Sequence, residues 1–137
     1  MAGEIILGYD ASEGARAALE QAAALARALG TKVVLSYGYG VWQVGGEVGD
    51  QQNTIHEMGM RAADEGAARL AELGVDHEVA VRPARPWEAL LEEAVERDAL
   101  MIVVGSHGES PVIGALLGSV PYKLIHQSTK PVLVVPT

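Results

Sequence analysis

Gly105-Ser106-His107-Gly108 and Gly118-Ser119 carry the residue types and spacing best suited to chemistry in this chain. The first group follows a short apolar run, Leu100–Val104. Nine residues separate Gly108 from Gly118, and a helical pattern begins near Val120. Glycines between a buried strand and a helix start let backbone N–H groups approach an anion without interference from a Cβ. The helix dipole favours negative charge at the same place. A phosphate cradle is therefore expected here. The spacing is not the dinucleotide fingerprint, which follows a first strand and packs its glycines closer, and no Gly-Lys-Ser/Thr exists for a Walker loop.

Other reactive side chains fit bland roles better. Ser106, His107 and Asp10 together suggest a hydrolytic triad, but a nucleophile elbow centres its serine between two glycines, and Gly-Ser-His-Gly does not. His56, His77 and His126 fall on separate elements without ligand spacing, so a metal site is not expected. Tyr37 and Tyr39 suit either an adenine wall or rim packing. Trp87 reads as a helix-start staple, and Glu92, Glu93 and Glu96 as a solvated helix face.

The elements that must position the cradle are legible in order. Glu4–Gly8 reads as a buried strand. Ser12 is the expected N-cap of a helix over Glu13–Leu29, whose Ala15, Ala18, Leu19, Ala22, Leu25, Ala26 and Leu29 form one apolar face, with Gly30 as its stop. Lys32–Tyr37 is a second strand. Gly38–Asn53 lacks periodicity and reads as a mobile loop. A helix is expected over Thr54–Leu73, weakened by Gly59 and Gly66 and stopped by Gly74. Val75–Arg82 alternates as an edge or half-covered strand should. Pro86 suits the first turn of a helix over Trp87–Arg97. The Leu100–Val104 strand, a helix near Pro121–Gln127 and a last strand, Val132–Val135, complete the chain. Helices alternating with apolar strands imply one α/β domain, a doubly wound five-stranded parallel sheet with helices on both faces. Ligands of such sheets bind beyond the strands' carboxyl ends at a switch in strand order. Adjacent first and fourth strands would face Asp10 and the glycine loop into one crevice.

Composition narrows the function. The chain has 137 residues, 49% of them hydrophobic, and a net charge of −8. That balance argues against nucleic acid and against an anionic membrane surface, both of which need a concentrated basic face. The absence of cysteine excludes disulfides and permits a reducing compartment. No signal-peptide pattern and no bilayer-length apolar segment are seen, so a cytoplasmic protein is expected. A phosphoacceptor receiver domain needs an acidic residue after the third strand, and Arg82-Pro83-Ala84 supplies none.

Across its full length the chain resembles the universal stress protein family. The likeness is carried by Gly8-Tyr9-Asp10-Ala11-Ser12, Val103-Val104-Gly105-Ser106-His107-Gly108, the nine-residue spacing to Gly118-Ser119-Val120, and the closing Lys130–Pro136. The resemblance implies a Rossmann-like fold of the adenine nucleotide alpha hydrolase type. It also implies an ATP-binding, stress-response function without strong catalysis, with Mg2+ as an optional companion of the nucleotide. Asp10 then matches the acidic residue facing the nucleotide, and Tyr37 the position whose backbone meets adenine. Val104 and Gly105 match residues under ribose and adenine, while Gly108, Gly118, Ser119 and Val120 match the phosphate-binding elements. The Ser119 hydroxyl has two uses open to it, capping the helix or bonding a phosphate. Three departures stand out: Glu109 where a basic residue is common, Pro121 where Ser, Thr or Ala is common, and Ala11 for Gly, expected to matter little. With Glu109 and Pro121, a nucleotide-independent interaction module with a degenerate cradle is the alternative. The resemblance further implies a homodimer through Val132–Val135, an apolar edge that needs covering.

Overall fold

The computed structural model describes residues 3–40, 48–107 and 118–137, without the side chains of 48–55. Five strands, β1 (Ile5–Gly8), β2 (Val33–Gly38), β3 (His77–Arg82), β4 (Met101–Gly105) and β5 (Val132–Val135), alternate with four helices. These are α1 (Glu13–Leu29), α2 (Val48–Glu72), α3 (Pro86–Glu96) and α4 (Ser119–Gln127). The strand order is β3-β2-β1-β4-β5 and every pairing is parallel. Strands β1 and β4 are neighbours, with Ile5 opposite Met101, so the chain reverses its direction of winding between them. The expected α/β class, strand count and switch point are all present.

Alternation along each strand builds two cores. On one face Ile5, Leu7, Val33, Leu35 and Val103 pack against Ala15, Ala18, Leu19 and Ala22 of α1 and Ala63 and Leu70 of α2. On the other, Ile6, Val34, Ile102 and Val104 meet Leu90 and Ala94 of α3 and Leu124 of α4. The inward side chains of Ala-rich α1 are small, alanines with Leu19 among them, and its bounds are those the periodicity predicts. Strand β3 is an outer strand, as its alternation implies.

Two expectations need correction. The segment read as a loop, Gly38–Asn53, is not one throughout. Gly38 closes β2, and α2 already runs from Val48 rather than Thr54. Residues 48–53 offer no apolar stripe, but extending an existing helix costs far less than starting one. Residues 41–47 lie outside the described residues.

The acidic run on α3 is not simply solvated. Glu92 and Glu96 are exposed, but the Glu93 side chain is 4% exposed and joins two arginines. Its Oε1 accepts from Arg82 Nε at 2.5 Å and its Oε2 from Arg97 Nε at 2.6 Å. Arg82 also reaches Glu92 and Glu96, and Arg97 reaches Glu4 and Glu78. Glu93 shares the inward stripe of Ala89, Leu90 and Ala94, and the arginines supply the charge that a buried carboxylate requires. The network fastens α3 to β3 and to Glu4 at the foot of β1, and α3 in turn forms one wall of the crevice at the strands' carboxyl ends.

Candidate functional site

At the carboxyl ends of β1, β2 and β4 lies a crevice of about 360 Å³, within the size range of small-molecule sites. Asp10 and Ser12 line it after β1, and Ser36, Tyr37 and Gly38 from the end of β2. Val104 and Gly105 line it from the end of β4 and His107 just beyond, with Pro86 and Leu90 from α3 and Gly118, Ser119, Val120 and Pro121 from the start of α4. Seven of the eight residues singled out by the sequence thus share one crevice: Asp10, Tyr37, Val104, Gly105, Gly118, Ser119 and Val120. Gly108, like Glu109, lies outside the described residues.

The turn after β1 is built by Asp10 and Ser12. Asp10 Oδ1 accepts from the Ser12 amide at 3.0 Å, an Asx-type turn. Ser12 Oγ then accepts from the Ala15 amide at 3.2 Å, capping α1 as expected. Between them Ala11 sits at φ +64°, a left-handed conformation that disfavours a Cβ. The turn therefore holds its alanine in a strain that glycine would not feel, a small cost borne by the fold.

The loop after β4 is pinned at both ends. The Ser106 amide donates to Val135 O at 2.9 Å, and the Gly118 amide donates to Ser106 O at 2.8 Å. A Cβ on Gly118 would come within 3.0 Å of His107 Cα, so the loop closes on a residue without a side chain. Underneath, Gly14 of α1 meets the loop backbone, and a Cβ there would stand 2.4 Å from the His107 carbonyl oxygen. Gly105 meets Gly14 in turn, its own Cβ position 2.7 Å from the Gly14 carbonyl carbon. Gly14 was not singled out from sequence. Its signal was a glycine in the first turn of an otherwise Ala-rich helix.

Helix α4 begins with Gly118 as N-cap, and no side chain caps it among the described residues. Ser119 is the first helical residue, so its hydroxyl does not take the capping role, the first of its two open uses. The amides of Ser119 and Val120 point out of the helix start, and Pro121, third in the helix, contributes none. Such an end is favourable for an anion.

The aromatic residues divide. Tyr37 lines the crevice, and its ring lies over the backbone of α2, where a Cβ on Gly59 would stand 2.4 Å from it. The helix-weakening glycine is the ring's seat. Tyr39 packs edge-on against the ring of His56. Trp87 is half-buried against the second core, with Lys123 Nζ 5.4 Å from its ring centroid. Tyr9, buried beside the crevice, donates to Glu65, which also accepts from Arg16 Nη2 at 2.8 Å. Burial first, then that carboxylate, raises the Tyr9 phenol above its usual value.

Among the described residues no hydrogen bond joins Ser106, His107 and Asp10, and no group of three His, Cys, Asp or Glu could hold a metal. His77 and His126 turn Nδ1 to backbone carbonyls at 2.9 Å. Among these residues, too, no helix is long and apolar enough to cross a membrane.

Comparison with known proteins agrees with this architecture. The model of the universal stress protein family matches residues 1–136. A universal stress protein of Thermus aquaticus is 32% identical over 134 residues, covering 96% of both chains. One from Bacillus subtilis is 34% identical over 84 residues, covering 61% of this chain and 57% of that protein, so the match spans little more than half of its length. Among solved structures, hypothetical protein MJ0577 superposes with a TM-score of 0.87 at 26% identity, covering 100% of this chain and 97% of that one. A universal stress protein crystallised in complex with cAMP superposes with a TM-score of 0.76 at 28% identity, covering 97% and 96%. On the strength of the full-length match, the chain belongs to the universal stress protein family.

Proposed function

We propose that the crevice binds ATP and that the bound nucleotide acts as a regulatory ligand in a stress response rather than as a rapidly turned-over substrate. The observation that carries this reading is the start of α4, which no side chain caps among the described residues and whose Ser119 and Val120 line the crevice together with Asp10 and Tyr37. Phosphates belong at Gly108, Gly118, Ser119 and Val120. The nucleoside belongs along Asp10, Tyr37, Val104 and Gly105. The cAMP complex of a relative 28% identical to this chain supports an adenine nucleotide in particular. Mg2+ travelling with the nucleotide would offset the Glu109 carboxylate that the sequence places next to Gly108. The Asp10 carboxylate is committed to the turn by the Ser12 amide, which suits a binding role better than that of a general base.

We place the protein in the cytoplasm and expect a symmetric homodimer through β5. That strand is an outer strand of the sheet, and its Leu133 is exposed, as are Tyr122 and Ile125 on neighbouring α4. Light scattering checks the dimer, and a strict monomer at micromolar concentration overturns it. A second reading, an interaction module that ignores nucleotides, draws on Pro121, which removes one amide from the cradle.

Calorimetric titration of ATP with Mg2+ into nucleotide-stripped protein decides between the two. Micromolar binding that is lost in Gly118→Val and reduced in Ser119→Ala is expected. No heat at millimolar ATP overturns the nucleotide reading and leaves the interaction module.

A further inference from the structure

We infer that Ser36 is a ligand-selecting residue of this crevice, its hydroxyl bonding the nucleoside half of the bound nucleotide. The inference rests on the nucleotide reading above. Ser36 is 3% exposed, and its Oγ is the one buried side-chain polar atom without a hydrogen-bond partner among the described residues. It lines the crevice. Its three predecessors in β2, Val33, Val34 and Leu35, are apolar and fully buried, so a hydroxyl here runs against the pattern of the strand. A buried hydroxyl left unpaired is destabilising, and an apolar side chain would serve the fold better. A partner arriving with the ligand accounts for it.

Position says which part of the ligand arrives there. Ser36 shares the face of Val34, on the side covered by α3 and α4, and Leu90 and Pro86 of α3 line the same end of the crevice. Strand β2 stands two places from β4 in the sheet, about 10 Å at the usual strand spacing. An anion on the Ser119 and Val120 amides is therefore beyond the reach of Ser36. What reaches it is the opposite end of an extended ligand. Beside Leu90 and Pro86, that end is a flat, largely apolar group with a hydrogen-bonding edge, as a nucleoside is. A serine hydroxyl can accept from an amino group or donate to a ring nitrogen or a sugar oxygen.

The test titrates nucleotide-stripped wild type and Ser36→Ala, each as the full chain, with MgATP and with magnesium tripolyphosphate. Ser36→Ala is expected to weaken ATP about tenfold, the size of one net hydrogen bond, and to leave tripolyphosphate within about twofold of wild type. The ligand-free variant should melt no lower than wild type, since it sheds an unpaired polar group. Equal ATP affinity in the two proteins overturns the inference, for the hydroxyl then meets only water. An equal loss for ATP and tripolyphosphate also overturns it, because Ser36 would then act through the fold. A wild type that binds no ATP instead overturns the nucleotide reading itself, and Ser36 loses its ligand with it.

Discussion

Two helices start at the mouth of the same crevice and end their backbones differently. Two of the amides at the start of α1 are met by nearby side chains, with Ser12 Oγ accepting from Ala15 and Asp10 Oδ1 accepting from Ser12. Those of α4 begin at a glycine and meet no side chain among the described residues. Both are amphipathic helices packed on the sheet, so folding did not require the difference. A helix start satisfied locally contributes stability, and one left open contributes a place for an anion. On the nucleotide reading proposed above, α1 serves structure and α4 binding, and substitutions at either start test that division.

The largest effect is expected where the two starts touch. Gly14 in the first turn of α1 lies against the loop that leads to α4, and alanine there would put a Cβ 2.4 Å from the His107 carbonyl oxygen. Neither partner is the flexible end of a side chain, so backbone must move. Gly14→Ala should lower unfolding free energy by about 3 kcal/mol, measured by urea denaturation, and weaken nucleotide binding as well. A variant as stable as wild type would mean that α1 does not support the loop.

Making α4 resemble α1 comes next. Gly118→Ser supplies a capping hydroxyl at a backbone conformation that serine adopts freely (φ −65°), against a contact of 3.0 Å with His107 Cα that is tight but not closed. ATP affinity should fall roughly tenfold as the new oxygen takes the Val120 amide, Pro121 having none to offer, with stability nearly unchanged. The reverse variant, Ser12→Ala, should cost about 1 kcal/mol of stability and leave ATP affinity within about twofold. If Ser12→Ala instead abolished binding while the protein stayed folded, the division between the two helix starts would be wrong.

How much of this could be read beforehand depended on whether the signal was local. The span of α1 was legible because Ser12, the alanine stripe and Gly30 all act within a few residues. The glycine spacing around Gly105 and Gly118 was legible for the same reason. Glu93 was misread because its burial is compensated by Arg82 on another element and Arg97 one turn along, and no local pattern announces such partners. The early start of α2 was missed because residues 48–53 are poor helix formers carried by the longer helix they lead into. Ser36 and Gly14 looked ordinary until the sheet order put them against the crevice and the loop. Ala11 looked harmless because nothing in its neighbours' identity reveals a φ set by the meeting of β1 and α1.

Titration probes the α1 side alone. Arg16 of α1 holds Glu65 of α2, and Glu65 accepts from Tyr9. The two hydrogen bonds, Arg16 first, hold the Glu65 carboxyl below its usual value, while burial and then Glu65 raise the Tyr9 phenol. A lowered carboxyl contributes stability at neutral pH that is lost as pH falls through and below the ordinary range near 4.5. A raised phenol contributes stability that is complete below the ordinary tyrosine value of 10.0 and is lost as pH rises above it. The urea midpoint should therefore fall on both sides, and Tyr9→Phe should flatten the alkaline limb relative to wild type. An unchanged alkaline limb in that variant would remove Tyr9 from the account.

The smallest effect belongs to Ala11, and it separates strain from function. At φ +64° an L-residue is disfavoured by about 1–2 kcal/mol, and glycine is not. Ala11→Gly relieves that strain but also frees the unfolded chain, which takes back roughly half of the gain. The net expectation is a stabilisation of about 0.5 kcal/mol, read as a small rise in the urea midpoint at unchanged slope. ATP affinity should not change, because Asp10 and Ser12 already hold the turn through their own hydrogen bonds. A variant that is more stable yet binds ATP less well would show that the strained turn tunes the crevice. The start of α1 would then belong to binding as much as the start of α4 does.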